Sequence, residues 1–270
     1  MTRNLMPQKL ASVVALAGLF LLAGCGKKEG PKTVYEDPKY AGWQFTNFQN
    51  IKFFHPPNHP QEGQFETIAR SYVRDINEVC RLLGIDTPKD TLVIFYYTGY
   101  GQGREMTGQE YPFAQDSVIH FWLPSFLGPT MMDHLLPYWV KGTPKYKFLR
   151  EGLRALFDYS GQNYHKSTMG YIKQGKFMPL SQLAIDTSVN SNTERYQSAE
   201  AASFIAYILA DYKSARLKTM YMSDLSFDQM VQQLFFEPVD SLQAAWLEFA
   251  KESTPPDTTD LLRQTDSVQR

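Results

Sequence analysis

TLVIFYYT, residues 91–98, is the segment that decides the fold class, because β-branched and aromatic residues fill it almost completely. Such a run between polar stretches predicts a buried strand. A second run of this kind, DSVIHFWL, occupies residues 116–123, and residues 43–54 alternate between apolar and polar side chains. These three segments predict a small mixed sheet in the N-terminal half of the chain.

The other apolar patterns in the chain are helical. Residues 64–83 place apolar side chains on one face of an amphipathic helix, and Gly84 stands where such a helix ends. We expect this helix to pack on the sheet. From Gly128 onward the chain predicts only helices, at residues 129–140, 144–160, 163–174, 193–214, 226–234 and 239–252. A half with strands followed by an all-helical half is an α+β arrangement.

The first 24 residues have the pattern of a bacterial secretion signal. Arg3 and Lys9 precede an apolar run that is shorter than the roughly 20 residues needed to cross a bilayer. The run ends in Leu22-Ala23-Gly24-Cys25, which resembles the lipobox of bacterial lipoproteins. The resemblance implies cleavage before Cys25 and lipid attachment to this residue, and its acyl chains would then anchor the protein to a membrane.

The rest of the chain divides into a tether, a domain and a tail. Residues 25–42 are polar and contain two prolines, so we expect them to carry the lipid anchor and act as a tether. Residues 43–252 form the predicted domain, with strands in 43–126 and helices in 127–252. Residues 253–270 are rich in Pro, Thr, Asp and Gln, and we predict a disordered tail.

The charge balance and the residues after Cys25 bear on partners and location. Without Arg3 and Lys9 of the signal, the 27 basic residues become 25 against 28 acidic ones, which gives no support for a nucleic-acid partner. Gly26-Lys27-Lys28 follows Cys25, with no Asp beside the cysteine to favour retention in the inner membrane. We therefore expect a protein of the cell envelope that is anchored to the outer membrane.

Cys80 and the pair His55 and His59 are weak candidates for chemistry. Cys80 lies on the apolar face of the helix predicted at 64–83, which indicates a buried structural thiol. His55 and His59 are four residues apart, but Pro56-Pro57 between them prevents the helix on which such a pair would share a face. We expect a loop without a metal at this place.

Two catalytic motifs are absent from the sequence. The segment GYGQG, residues 99–103, superficially resembles a phosphate loop, but no helix is expected after it and the Lys-Ser/Thr of a P-loop is missing. The Gly-x-Ser-x-Gly motif that carries the nucleophile of many serine hydrolases does not occur. The sequence therefore predicts neither a P-loop nucleotidase nor a hydrolase of that type.

From residue 116 to about residue 251 the chain carries several motifs in a defined order. FLREGLRALFDY, residues 148–159, contains Glu-Gly-Leu and a closing Tyr. It is followed by MPLSQL (178–183), YQSAEAASFIAYIL (196–209) and an ending that runs from 226 to 246. In this order the motifs resemble the catalytic domain of the peptidase MA-like, or gluzincin-type, zinc metallopeptidases. The resemblance implies a zincin-like fold for the domain.

The resemblance also assigns roles to two helices. In the family, a first helix carries His-Glu-x-x-His and a second carries the Glu of Glu-Gly-Leu. Both histidines and the second Glu hold zinc, and the Glu beside the first histidine is the general base. Glu151 keeps its position in the second helix. In the first helix, the best register sets Thr130, Met131 and His134 on the motif, and only His134 matches.

Thr130 thus replaces the first zinc ligand, and Met131 replaces the general base. Starting the motif at His134 instead does not restore it. In that register Leu135 takes the place of the base, and Pro137 is expected to interrupt the helix. We therefore expect no catalytic residue in this degenerate motif.

His134 and Glu151 remain as the candidate metal ligands. Zinc sites normally have three or four protein ligands, so these two alone would hold zinc weakly. We therefore expect no cofactor, and we expect His134 and Glu151 to hydrogen-bond across two packed helices. The alternative is a zinc site in which His120 or His165 supplies a further ligand. Asp133, on the neighbouring face, is a poor replacement for the base.

These patterns predict a membrane-anchored, extracytoplasmic lipoprotein with a metallopeptidase-like fold and no catalytic activity. We expect a binding or scaffolding protein whose cleft accepts a peptide, a glycan or another envelope protein. One alternative is an active zinc-dependent peptidase or hydrolase with an atypical metal site. The other is a structural envelope component whose cleft is filled by Met131, Met132 and aromatic side chains.

Overall fold

The computed structural model describes most of the chain after the predicted signal. The described residues are 37–115, 118–125, 127–192 and 196–254. Those from Lys39 onward belong to one compact unit. The predicted signal peptide, Cys25, most of the tether and residues 255–270 of the tail lie outside the described residues. No helix in the described ranges is long and apolar enough to cross a membrane.

The described residues of the N-terminal half form the mixed sheet that the sequence predicts, and this sheet has five strands. Its strands are β1 (Gln44–Phe48), β2 (Ile51–His55), β3 (Leu92–Tyr96), β4 (Phe113–Gln115) and β5 (Val118–Phe121). They lie in the order β1-β2-β3-β5-β4. Strands β2, β3 and β5 are parallel, whereas β1 pairs with β2, and β4 with β5, in antiparallel fashion. The sequence does not predict β4, because three residues are too few to show an alternation.

Helix α1 (Phe65–Leu83) covers one face of this sheet. Its buried side chains, among them Phe65 and Val79, share a core with Ile94 of β3 and Phe121 of β5. The helix ends at Gly84, where a φ of 70° places the backbone in the left-handed region that glycine favours. The amphipathic pattern in the sequence therefore predicts both the helix and its packing partner correctly.

An aromatic cluster covers the opposite face of the sheet. It consists of Tyr40, Phe54, Phe95, Tyr97 and Trp122, with Trp43 packed against them. Tyr40 is buried, and its hydroxyl lies 3.0 Å from the hydroxyl of Tyr97. The compact unit thus begins at Lys39, inside the stretch that the sequence assigns to the tether.

Helix α2 (Tyr100–Thr107) follows Gly99 directly, so the expectation that no helix comes after the GYGQG segment is wrong. Glycine is a poor helix former, which explains why local propensity gives no sign of this helix. The packing of α2 against the sheet outweighs the low helix propensity of its glycines. A Cβ on Gly103 would lie 2.4 Å from the Trp122 ring, so the missing side chain lets α2 approach the sheet.

The C-terminal half is helical. Its helices are α3 (Leu127–Trp139), α4 (Lys147–Leu156), α5 (Tyr164–Lys173), α6 (Leu180–Ile185), α7 (Tyr196–Tyr207), α8 (Lys213–Tyr221), α9 (Phe227–Phe235) and α10 (Val239–Glu252). The single helix predicted at 193–214 is divided, because a π-helical turn at Ile208–Tyr212 separates α7 from α8. The part of this half that the structure describes contains no strand, so the α+β arrangement is confirmed.

Helices α4 and α7 approach each other closely at Gly152, the glycine of Glu-Gly-Leu. A Cβ on Gly152 would lie 2.8 Å from both the carbonyl oxygen of Ala201 and the Cγ1 atom of Ile205. Both atoms are nearer than van der Waals contact allows. Glycine is therefore required here by the approach of two helices.

We expect Gly152→Ala to lower the free energy of unfolding by about 1–3 kcal/mol, because overpacking forces the two helices apart. The measurement is the urea midpoint. Gly170→Ala is the matched control, since Gly170 lies in α5 with no atom within 4 Å of an added Cβ. Alanine is the better helix former, so the control should be neutral or stabilising. A Gly152→Ala protein as stable as this control would contradict the close packing.

Candidate functional site

Helix α3 places both altered motif residues in the core. Met131 is fully buried, and the hydroxyl of the buried Thr130 donates to the carbonyl oxygen of Leu127 at 2.7 Å. The helix runs through Pro137 to Trp139, so the expected interruption is wrong. A proline this near the end removes one N–H donor and leaves the earlier turns intact. Neither Thr130 nor Met131 is a usual zinc ligand.

Glu151 lies on α4 and is 4% exposed. Its carboxylate accepts hydrogen bonds from Arg154 Nη1 at 3.1 Å and from the backbone N and hydroxyl of Ser191 at 2.8 and 2.7 Å. Burial by itself raises the pKa of Glu151, but the Arg154 charge and the Ser191 hydrogen bonds outweigh it and hold the pKa below its ordinary value. The carboxylate is therefore ionised, and protein groups already satisfy it.

Arg154 connects this carboxylate to α3. Its Nη2 atom lies 3.4 Å from a carboxylate oxygen of Asp133, and Arg150 pairs with the same carboxylate at 2.7 Å. The side chains of Arg154 and Asp133 are 8% and 9% exposed. Asp133, Glu151, Arg150 and Arg154 thus form an ion network, called here the Arg154 network. It lies between the two helices to which the resemblance assigns zinc.

His134 stands outside the Arg154 network. Its side chain is buried, and within the described ranges its Nδ1 atom has no hydrogen-bond partner. Burial lowers the pKa of His134, so the ring is neutral at pH 7. The expected hydrogen bond between His134 and Glu151 is not formed among these residues: Oε2 of Glu151 accepts from Arg154 and Ser191, and Oε1 accepts from Arg154 at 3.3 Å.

The two histidines considered as further ligands have other partners. The Nδ1 atom of His120 lies 2.7 Å from the Tyr97 hydroxyl, within the aromatic cluster on the far face of the sheet. The Nδ1 atom of His165 lies 2.8 Å from the Ser203 hydroxyl of α7. Among the residues that the structure describes, no three His, Cys, Asp or Glu side chains form a group that could hold a metal.

The remaining candidates are structural. His55 Nε2 lies 2.9 Å from the Thr46 hydroxyl, and His59 Nδ1 accepts a hydrogen bond from the backbone N of Gln61 at 3.1 Å. Both histidines are buried beside Phe65. Cys80 is 1% exposed on the apolar face of α1, which confirms the predicted buried thiol, and burial raises its pKa.

The donor set therefore does not fit the zinc site that the resemblance implies. His134 and Glu151 are two candidate ligands where three or four are normal. A metal on Glu151 would also displace Arg154 and leave its buried guanidinium with Asp133 as its remaining ion-pair partner. Breaking one partner out of a buried ion pair costs about 3–5 kcal/mol. These residues favour a guanidinium over a metal at this position.

A cleft of about 680 Å³ opens beside the Arg154 network, a volume within the usual range for small-molecule sites. It is lined by the segment before β4, the first turn of α3, the end of α4 and the start of α7. Ser191 and Asn192 line the cleft and also contact the Arg154 network. Ser191 donates to Glu151, and the amide oxygen of Asn192 lies 3.5 Å from Arg154 Nη2. The network therefore holds one wall of the cleft in place.

The sequence interpretation misses two of the residues that shape this region. Arg154 stands three residues after Glu151, and this spacing puts both side chains on one helix face. The sequence therefore contains the pattern from which this ion pair could be predicted. Ser191 is 40 positions from Glu151, and no local pattern indicates the contact.

Glu200 of α7 is a third residue that the sequence interpretation misses. It is fully buried, and one carboxylate oxygen accepts from the backbone N of Met178 at 3.3 Å. The other oxygen has no hydrogen-bond partner among the described residues. Burial raises the pKa of Glu200 to about 8, so the group is mostly protonated at pH 7. Glu200 therefore carries little negative charge at pH 7.

We expect Arg154→Met to lower the free energy of unfolding by about 3–5 kcal/mol, because it leaves the buried carboxylate of Glu151 without its ion-pair partner, whereas Asp133 keeps Arg150. The measurement is urea denaturation at pH 7. Arg70→Met is the matched control: Arg70 pairs with Glu66 across an exposed helix face, and such pairs contribute at most about 1 kcal/mol. Equal effects of the two substitutions would contradict the buried network.

Comparison with known proteins adds no identification. The chain matches no family model, and no curated protein or solved structure is significantly similar to it. The likeness to gluzincin-type metallopeptidases thus rests on the sequence motifs.

Proposed function

We propose that this protein is an envelope lipoprotein, anchored through Cys25 to the outer membrane, whose zincin-like domain binds a ligand in its cleft without hydrolysing it. The observation that carries the proposal is the Arg154 network. It supplies a guanidinium to the carboxylate that would otherwise hold zinc. The ligand is a peptide, a glycan or another envelope protein.

The order of the elements supports a metallopeptidase-like ancestry. Strand β5 is followed by α3 and then by α4, as strand, first helix and second helix follow each other in the family that the motifs resemble. His134 and Glu151 lie on these two helices. The contact of Gly152 with α7 gives the glycine of Glu-Gly-Leu a structural reason.

The chemistry of the site supports a protein that binds without hydrolysis. Zinc-dependent hydrolysis needs an open coordination position for water and a base that accepts the proton. Met131, at the position of the base, cannot accept a proton. Asp133 is the nearest acid on the same helix, and it is paired with Arg150 and Arg154. The cleft beside these residues nevertheless has the volume of a ligand site.

Metal content and hydrolysis test the proposal together. After dialysis against equimolar zinc, we expect far less than one zinc per chain by elemental mass spectrometry, and no chelator-sensitive cleavage of a fluorogenic peptide library. Both results follow from a donor set with too few free ligands. Stoichiometric zinc that is lost in His134→Ala, together with chelator-sensitive cleavage, would establish the alternative, an active enzyme with an atypical metal site.

Lipid attachment is tested with the two cysteines of the chain. We expect labelled palmitate to be incorporated into the wild-type protein and the protein to sediment with membranes, because the acyl chains of a diacylglycerol joined to Cys25 by a thioether bury a large apolar area in the bilayer. Cys25→Ser should abolish the label, and Cys80→Ser should retain it. A label that persists in Cys25→Ser would contradict the anchor.

A further inference from the structure

The lining of the cleft is nearly neutral. Among its described residues, Asp158 is the one with a charged side chain. Its carboxylate accepts hydrogen bonds from the Tyr164 hydroxyl at 2.5 Å and from the backbone N of Ser160 at 2.8 Å. Neutral donors within the protein thus bind both carboxylate oxygens, and the described lining contains no Lys or Arg, so an anionic ligand would find no counter-charge among these residues.

Most polar side chains in the described lining of the cleft carry hydroxyl or amide groups, among them Ser125, Gln162 and Asn192. The hydroxyls of Ser191 and Ser198 also belong to the lining, and they donate to Glu151 and to the carbonyl oxygen of Asn190. Such groups both donate and accept hydrogen bonds, as sugar hydroxyls do. Tyr111 and Tyr171, both half-buried, add aromatic surface. Together these groups match an uncharged ligand that has many hydroxyls and flat apolar ring faces.

An extended peptide fits this lining less well. A peptide that adds to a sheet edge needs alternating N–H and C=O groups on that edge. The sheet has two edge strands, β1 and β4, and β4 is the one beside the cleft. The residues that face the cleft, Tyr111 and Pro112, come directly before β4. Pro112 has no N–H to donate. The row of backbone hydrogen bonds between the sheet edge and an added peptide would therefore lack one bond beside the cleft.

The Arg154 network fixes the polar wall in advance. Glu151 holds both the backbone N and the hydroxyl of Ser191. Arg154 approaches the amide oxygen of Asn192, which leaves the NH₂ group of this side chain as a donor. The backbone N of Asn192 also donates to Asn190 at 2.9 Å. A wall ordered before binding reduces the entropy lost when a ligand binds.

We propose that the cleft binds a neutral oligosaccharide. Asn192 and Gln162 hydrogen-bond its hydroxyls, and Tyr111 and Tyr171 pack on its ring faces. This inference rests on the proposed function, because it takes the cleft as the ligand site. Glycoside hydrolysis normally uses two carboxyl groups across the bond. Of the described lining residues only Asp158 has one, so the sugar is bound and left intact.

The test uses the full-length protein in detergent on an array of neutral oligosaccharides, anionic oligosaccharides and peptides. We expect binding to at least one neutral oligosaccharide and none to the anionic ones. Isothermal titration with the best neutral glycan then gives the affinity. Tyr171→Ala and Asn192→Ala should each weaken it about tenfold or more, as loss of a central contact does.

Two further variants make the result specific. Tyr100→Ala removes an exposed tyrosine on α2, away from the described lining, and should leave the affinity unchanged. Tyr111→Ala, in a loop, replaces Tyr171→Ala if the latter unfolds. Binding of peptides without binding of any glycan would contradict the proposed oligosaccharide ligand and would leave the proposed binding function intact. Absence of any binding would contradict both the binding function and the oligosaccharide ligand. Glycan binding that the cleft variants do not weaken would contradict the cleft as the binding site.

Discussion

The guanidinium of Arg154, held between the carboxylates of Glu151 and Asp133, is the interaction on which this region depends. Carboxylates that are shielded from water are normally paired with cations; Arg154 pairs with both of these acids, and Arg150 pairs with Asp133 as well. Arg154 stands three residues after Glu151 on α4 and also reaches Asp133 on α3, so its guanidinium links the two helices.

The same interaction reaches the cleft. The Oε2 atom of Glu151 accepts hydrogen bonds from both Arg154 and Ser191, so the ion pair also sets the position of a wall residue. Buried ion pairs often add little stability over a well-packed apolar replacement, but breaking them is costly. The main effect of the Arg154 network is therefore on the geometry of the cleft. It fixes the positions of Ser191 and Asn192 in the wall, and both of these side chains are uncharged.

Much of the fold follows from local pattern. The β-branched and aromatic run at 91–98 and the amphipathic helix ending at Gly84 predict β3 and α1, and the lack of strand-like segments after Gly128 predicts the helical half. The failures also have physical causes. Strand β4 and helix α6 are too short to show a period, and α2 forms through the contact of Gly103 with Trp122 against its own propensity.

The site is less predictable, because contacts between distant residues decide it. The motifs predict which helices carry His134 and Glu151, but not that Ser191 would satisfy Glu151 from 40 positions away. They also do not show which way His120 and His165 face, and each of these rings bonds a hydroxyl elsewhere in the fold. Burial of Glu200, which makes it neutral, depends likewise on the packing around α7.

The most direct test is a crystal structure from zinc-containing solution, with anomalous data collected on both sides of the zinc absorption edge. We expect no anomalous peak between α3 and α4, and electron density that shows Arg154 between Glu151 and Asp133. A zinc peak about 2.0–2.2 Å from Glu151 and His134, with Arg154 turned away, would contradict this expectation.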